Sequence, residues 1–157
     1  TVTDVEHAKF DILPHNLIDH AGDLVGVKAG DLVKVRLTLV VPTRRHYVAI
    51  EDPLPAGFEA INTTFATTAS SIREEERDSN TEPDPWWWYR SHTFDFVEQR
   101  DDRVVLFADE LPSGVYNHAY MVRATTPGTF AAPGARSEEM YNPEVYGRTN
   151  ALRVRVR

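Results

Sequence analysis

The clearest pattern in the chain is DLVKVRLTLVVP, residues 31–42. Val33, Val35, Leu37, Leu39 and Val41 fall on one parity, and Lys34, Arg36 and Thr38 on the other. Side chains of an extended chain alternate between two faces, so this run predicts a half-buried strand. Gly30-Asp31 opens it and Pro42 closes it. A second alternating run ends the chain, with Leu152, Val154 and Val156 set against Arg153, Arg155 and Arg157. A third, VYNHAYMVRATT, holds Tyr116, Tyr120, Val122 and Ala124 on one parity. Between the last two lies SEEMYNPEVYGRTN, residues 137–150, which has no alternation. Two tyrosines, a methionine, a proline and a glycine stand where a short polar turn would suffice. This stretch reads as a bulky loop between strands.

Other segments extend the same picture. Tyr47–Glu51 is strand-like, Pro53 and Pro55 end its pairing, and Phe58–Asn62 resumes as a short strand. TFDFVEQ and VVLFADEL flank Asp101-Asp102 as the two arms of a hairpin. TVTDVEHAKFDI resembles an entering strand, HAGDLVGVKAGD a short strand among turns, and TFAAPGARS an extended run. Residues 66–85 are polar and aperiodic, with a charge run at Arg73–Arg77; a short exposed helix fits, and a loop fits better. The total is roughly seven or eight strands with turns about every ten residues. That pattern predicts an all-β domain, an immunoglobulin-like antiparallel β-sandwich with at most one short helix. A length of 157 residues suits a single domain, 1–157, with one core.

Charge and composition narrow the partners. The formal net charge of −7 argues against nucleic acid and anionic membrane surfaces. No apolar run reaches the ~18 residues of a membrane span, and no signal peptide is visible. Both ends look cut from something longer, so an excised domain is expected. Cysteine is absent, which excludes disulfides and thiolate metal sites.

Candidate chemistry is sparse. The histidines are scattered, and none of the metalloprotease, nucleophile-elbow or P-loop motifs occurs. No catalytic residue, metal ligand set or cofactor is therefore expected. Asp101-Asp102 suits a hairpin tip, because aspartate favours turns. The run at 73–77 suits a solvated surface. Trp86, Trp87, Trp88 and Tyr89 are consecutive, so in extended chain they point to opposite faces and cannot all enter one core. They serve either as an interface or as local packing. An interface there would suit a stand-alone adhesion or ligand-binding sandwich. Met140, Tyr141, Val145 and Tyr146 could in turn fill one end of the sandwich, with Pro143 and Gly147 shaping the loop.

A family resemblance runs through these elements. RDDRVVLFADELPSGVYNHAYMVRATTPGTFAAPGARSEEMYNPEVYGRT, from Arg100 onward, resembles the last domain of bacterial α2-macroglobulins. The shared features are an R-D-D-R-V hairpin, a G-x-Y-x-x-x-Y-x-V-R-A strand, a T-P-G-x-F turn and an M-Y-x-P-x-x-x-G loop. YVAIEDPLPAGFEAIN and VKAGDLVKVRLTLVV are similar to the segments before them. The resemblance is weakest over 1–26 and 63–92. It implies a macroglobulin-type sandwich from a large periplasmic protein, often a membrane-anchored lipoprotein, that traps proteases. It also implies a thioester in a separate domain of the parent chain, against which this domain packs. Tyr141, with Met140 beside it, matches the residues that shield that thioester. Trp86, Trp87, Trp88 and Tyr146 are the remaining candidates for an interface. The partners implied are the thioester domain, target proteases through the parent, and a periplasmic peptidoglycan synthase.

Overall fold

The computed structural model describes residues 9–12, 24–61 and 94–157, with backbone alone at 9–12 and 24–25. Among them the chain forms β1 (Lys9–Ile12), β2 (Leu24–Val27), β3 (Leu32–Val41), β4 (Arg45–Pro53), β5 (Phe58–Ile61) and β6 (Phe96–Gln99). The series continues with β7 (Arg103–Leu111), β8 (Gly114–Ala124), β9 (Gly128–Ala132), β10 (Arg136–Glu139), β11 (Asn142–Arg148) and β12 (Leu152–Val156). No helix occurs among the described residues. Residues 66–85 and the cluster Trp86–Tyr89 lie outside them.

Three sheets result, in the orders β1-β3-β8-β5, β11-β10-β4-β7-β6 and β2-β12-β9. Pairing is antiparallel except for β12 with β2, which is parallel. Alternation predicted the inward faces correctly: Val33, Val35, Leu37, Leu39 and Val41 of β3 are buried, as are Val154 and Val156 of β12. They meet Val48 and Ile50 of β4, Val104, Leu106 and Ala108 of β7, and Tyr120, Val122 and Ala124 of β8 in one continuous core.

One polar contact crosses that core. Tyr120 Oη donates to Asp52 Oδ2 at 2.6 Å, joining β8 of the first sheet to β4 of the second. Burial pushes the Asp52 carboxyl up to about 6, although the Tyr120 bond opposes the shift. Burial, with Asp52 beside it, also raises the Tyr120 phenol. His118 packs edge-on to Phe94 at 5.8 Å and near Tyr120. Burial pulls its imidazole down to about 4.

The strand count exceeds the roughly seven or eight expected from the sequence. The main correction falls on 137–150, read as a loop. It is a hairpin of β10 and β11 whose base is held by Thr149 and Ala135. The alternation is missing because β11 is an edge strand with most of its side chains exposed. A strand with so little of either face covered carries no clear period-two signal.

Candidate functional site at the Met140–Tyr141 hairpin tip

β10 pairs with β4 in regular register from Arg136↔Glu51 to Glu139↔Val48. On its other side Glu138 faces Tyr146, and the next pair is Glu139↔Asn142. Pro143, Glu144 and Val145 are therefore looped out of the ladder. Proline donates no ladder bond, so a bulge on an edge strand suits it. Met140 and Tyr141 form the turn beyond the last pair. The Met140 N–H donates to the Tyr47 carbonyl at 2.9 Å, so bonding to β4 continues up to the tip.

Tyr47 explains how β4 reaches that point. It has φ of +52°, the single positive value at a non-glycine among the described residues. An L-residue with a large side chain seldom adopts this conformation. The effect appears in the burial of both paired strands. In β4, Val48, Ile50 and Asp52 point inward, yet His46 and Tyr47 are both exposed. In β7, Val104, Leu106 and Ala108 point inward, Asp109 and Glu110 are both exposed, and Leu111 is buried again. The alternation slips by one at the same rung of both strands. Tyr47 is thereby turned outward beneath the tip.

The side chains at the tip are open to solvent. Tyr141 is 80% exposed, Met140 51%, Tyr47 50% and Tyr146 44%. Tyr141 and Tyr47 meet edge to face, with ring centroids 5.1 Å apart and planes at 90°. Below them Glu139 faces Arg45 at 4.0 Å. It accepts from the His46 N–H at 3.3 Å and, more loosely, from Asn142 Nδ2 at 3.5 Å. One carboxylate thus touches both β4 and the residue after the turn.

Met140, Tyr141 and Tyr146 are too exposed to fill the end of the sandwich, so that alternative is discarded; Val145 is half-buried. Met140 and Tyr141 stand together at the tip. Tyr146 stands apart, in a cross-strand row that runs Tyr146, Glu138, Ala49, Phe107, Phe96 over the outer face of the second sheet. Tyr47 and Glu139 were not apparent in the sequence as parts of a site. Tyrosine gives no signal of a left-handed backbone, and Glu139 reads as an ordinary surface acid. Among the described residues no three His, Cys, Asp or Glu side chains gather as a metal site. A hollow of about 20 Å³ lies beside Asp52 and Tyr120 and has the size of about one water. What the tip offers chemically is an apolar, aromatic cap with phenolic hydroxyls and no strong nucleophile.

Comparison with known proteins agrees with this architecture. Residues 8–144 match the family described as the bacterial alpha-2-macroglobulin MG10 domain. An alpha-2-macroglobulin homolog of Nostoc is 35% identical over 125 residues, covering 80% of this chain and 6% of the relative. The circularly permutated Ras protein 2 of Dictyostelium discoideum is 32% identical over 136 residues, covering 87% of this chain and 3% of the relative. Trypsin-activated alpha-2-macroglobulin from Escherichia coli superposes with a TM-score of 0.70 at 26% identity, over 99% of this chain and 10% of that one. Salmonella alpha-2-macroglobulin reacted with methylamine gives 0.63 at 25% identity, over 99% and 9%. The chain therefore spans a small fraction of the length of the proteins it resembles. With its fold, its motifs and its family match in agreement, this chain belongs to the bacterial alpha-2-macroglobulin MG10 domain family.

Proposed function

We propose that this chain is the C-terminal domain of a protease-trapping macroglobulin, and that its β10–β11 tip docks on the parent's thioester domain and shields the thioester. The observation that carries this reading is the tip itself: an 80% exposed tyrosine on a turn bonded into the sheet. An exposed aromatic held in a defined place suits a surface that is covered in the whole protein. A thioester is an activated acyl group that survives only where water and amines are kept out. A tyrosine ring supplies a broad apolar lid with one polar end. A protonated phenol is a poor nucleophile. Met140 extends the apolar cover. The chain contains no cysteine, so a thioester would have to come from elsewhere in the parent. A periplasmic, lipid-anchored parent that meets proteases and a peptidoglycan synthase completes the proposal.

The test is free-thiol release and methylamine incorporation in the full-length parent. Tyr141→Phe removes the hydroxyl and keeps the ring; if that hydroxyl bonds at the thioester, a loss of ~0.5–1.5 kcal/mol should speed hydrolysis by a few-fold to roughly tenfold. Tyr141→Gly removes the ring as well and should speed it much further. Tyr146→Gly, in the same hairpin but away from the tip, should leave it unchanged. If all three variants match the wild type, the tip is not a lid.

A further inference from the structure

The conformation of Tyr47 calls for a purpose beyond folding. A left-handed tyrosine is a strained choice where glycine or asparagine would fit. Its ring is half exposed and lies outside the core cluster. What it touches is the tip: its carbonyl accepts the Met140 N–H at 2.9 Å, and its ring meets that of Tyr141 at right angles, 5.1 Å between centroids. The slip in alternation at this rung is what brings the ring to the outer side. Strain retained at one residue, with its contacts directed at a neighbouring exposed side chain, is the pattern of a preorganised site.

We infer that Tyr47 is the positioning residue of the Tyr141 lid. It presets the tip backbone through its carbonyl and the Tyr141 ring through its own ring, before the partner domain is met. The inference rests on the lid reading above. A lid that must find its orientation on docking loses rotamer freedom at that step, and a braced one has already lost it. Removing the brace should leave the lid in place part of the time and admit water for the rest.

The experiment uses the full-length parent and three variants at Tyr47, with Tyr141→Gly as the reference. Tyr47→Asn keeps a residue that tolerates the left-handed backbone and removes the ring. It should raise the rate of free-thiol release about two- to tenfold, the rate equivalent of one edge-to-face aromatic pair. The melting temperature should not fall. Tyr47→Phe keeps the ring and should match the wild type. Tyr47→Asn combined with Tyr141→Gly should be no faster than Tyr141→Gly alone, because a brace without a lid has nothing to hold. If Tyr141→Gly has no effect, the lid reading falls and this inference with it. If Tyr141→Gly acts and Tyr47→Asn does not, the inference alone is overturned. It is likewise overturned if the double variant is faster than Tyr141→Gly, or if Tyr47→Phe fails to preserve the wild-type rate.

Discussion

Glu139 is the residue on which the tip most depends electrostatically. Its carboxylate and the Arg45 guanidinium are 14% and 15% exposed at 4.0 Å. Arg45 Nε is buried with no hydrogen-bond partner among the described residues. The slip at Tyr47 places Arg45 opposite the buried Leu111, so a cation is drawn inward and needs its counter-charge. A separation of 4.0 Å is long for an ion pair, so its attraction is modest. Leaving a desolvated charge without its partner costs more than that attraction is worth. Glu139→Ala should therefore cost ~1–3 kcal/mol of unfolding free energy in urea. Arg45→Met keeps the apolar stem and removes the charge. Combined with Glu139→Ala it should recover a good part of the loss. Additive losses in the double variant would show that the carboxylate acts through its backbone bond to His46 instead.

At the scale of the element, the β10–β11 hairpin is set by its two ends. The tip is bonded to β4, and the base is closed by Thr149 N–H on the Ala135 carbonyl at 2.9 Å and Ala135 N–H on Thr149 Oγ1 at 2.8 Å. Gly134 makes this closure possible, because a Cβ there would stand 2.1 Å from the Thr149 carbonyl oxygen. Backbone cannot swing aside as a side chain can, so Gly134→Ala should cost ~1–3 kcal/mol. In Gly114→Ala the nearest atoms to the new methyl would be those of the Tyr116 ring, at an ordinary contact of 3.7 Å, and stability should hold. The two melting curves, measured together, decide whether the close approach matters. Legibility in the sequence followed burial at this scale. β3, β7, β8 and β12 were readable because one face of each is buried, which writes an apolar residue at alternate positions. β10 and β11 were not, because β11 is exposed and three of its residues leave the ladder. The M-Y-x-P-x-x-x-G motif found the tip where periodicity failed. It gave no hint of Tyr47, whose part depends on a backbone angle that tyrosine does not advertise.

For the whole molecule, Asp52 and His118 set opposing responses to acid. Asp52 titrates at about 6 in the fold against an ordinary 3.8. Its folded form holds the proton more tightly, so a penalty is present in full above pH ~6. As pH falls that penalty is relieved, and it is gone below ~4, a gain of about 3 kcal/mol on acidification. His118 titrates at about 4 in the fold against 6.5. Between those values the unfolded chain takes up the proton first, so stability is lost as pH falls from ~6.5 to ~4, by about 3 kcal/mol. Across pH 4–6 the two nearly cancel, and each alone would tilt the profile. Asp52→Asn keeps an acceptor for Tyr120 Oη and cannot ionise. Its stability relative to wild type should be highest near pH 7 and fall by about 3 kcal/mol toward pH 4. His118→Phe keeps a ring against Phe94 and removes the buried, unpartnered Nε2. Relative to wild type it should gain about 3 kcal/mol over the same descent. Taking each variant against wild type at every pH cancels the other carboxylates. Urea unfolding at half-unit steps from pH 4 to 7.5 reads both slopes. Parallel profiles for Asp52→Asn and wild type would mean that the Tyr120 bond fully offsets burial and that Asp52 takes up its proton in the fold at the same pH as in the unfolded chain.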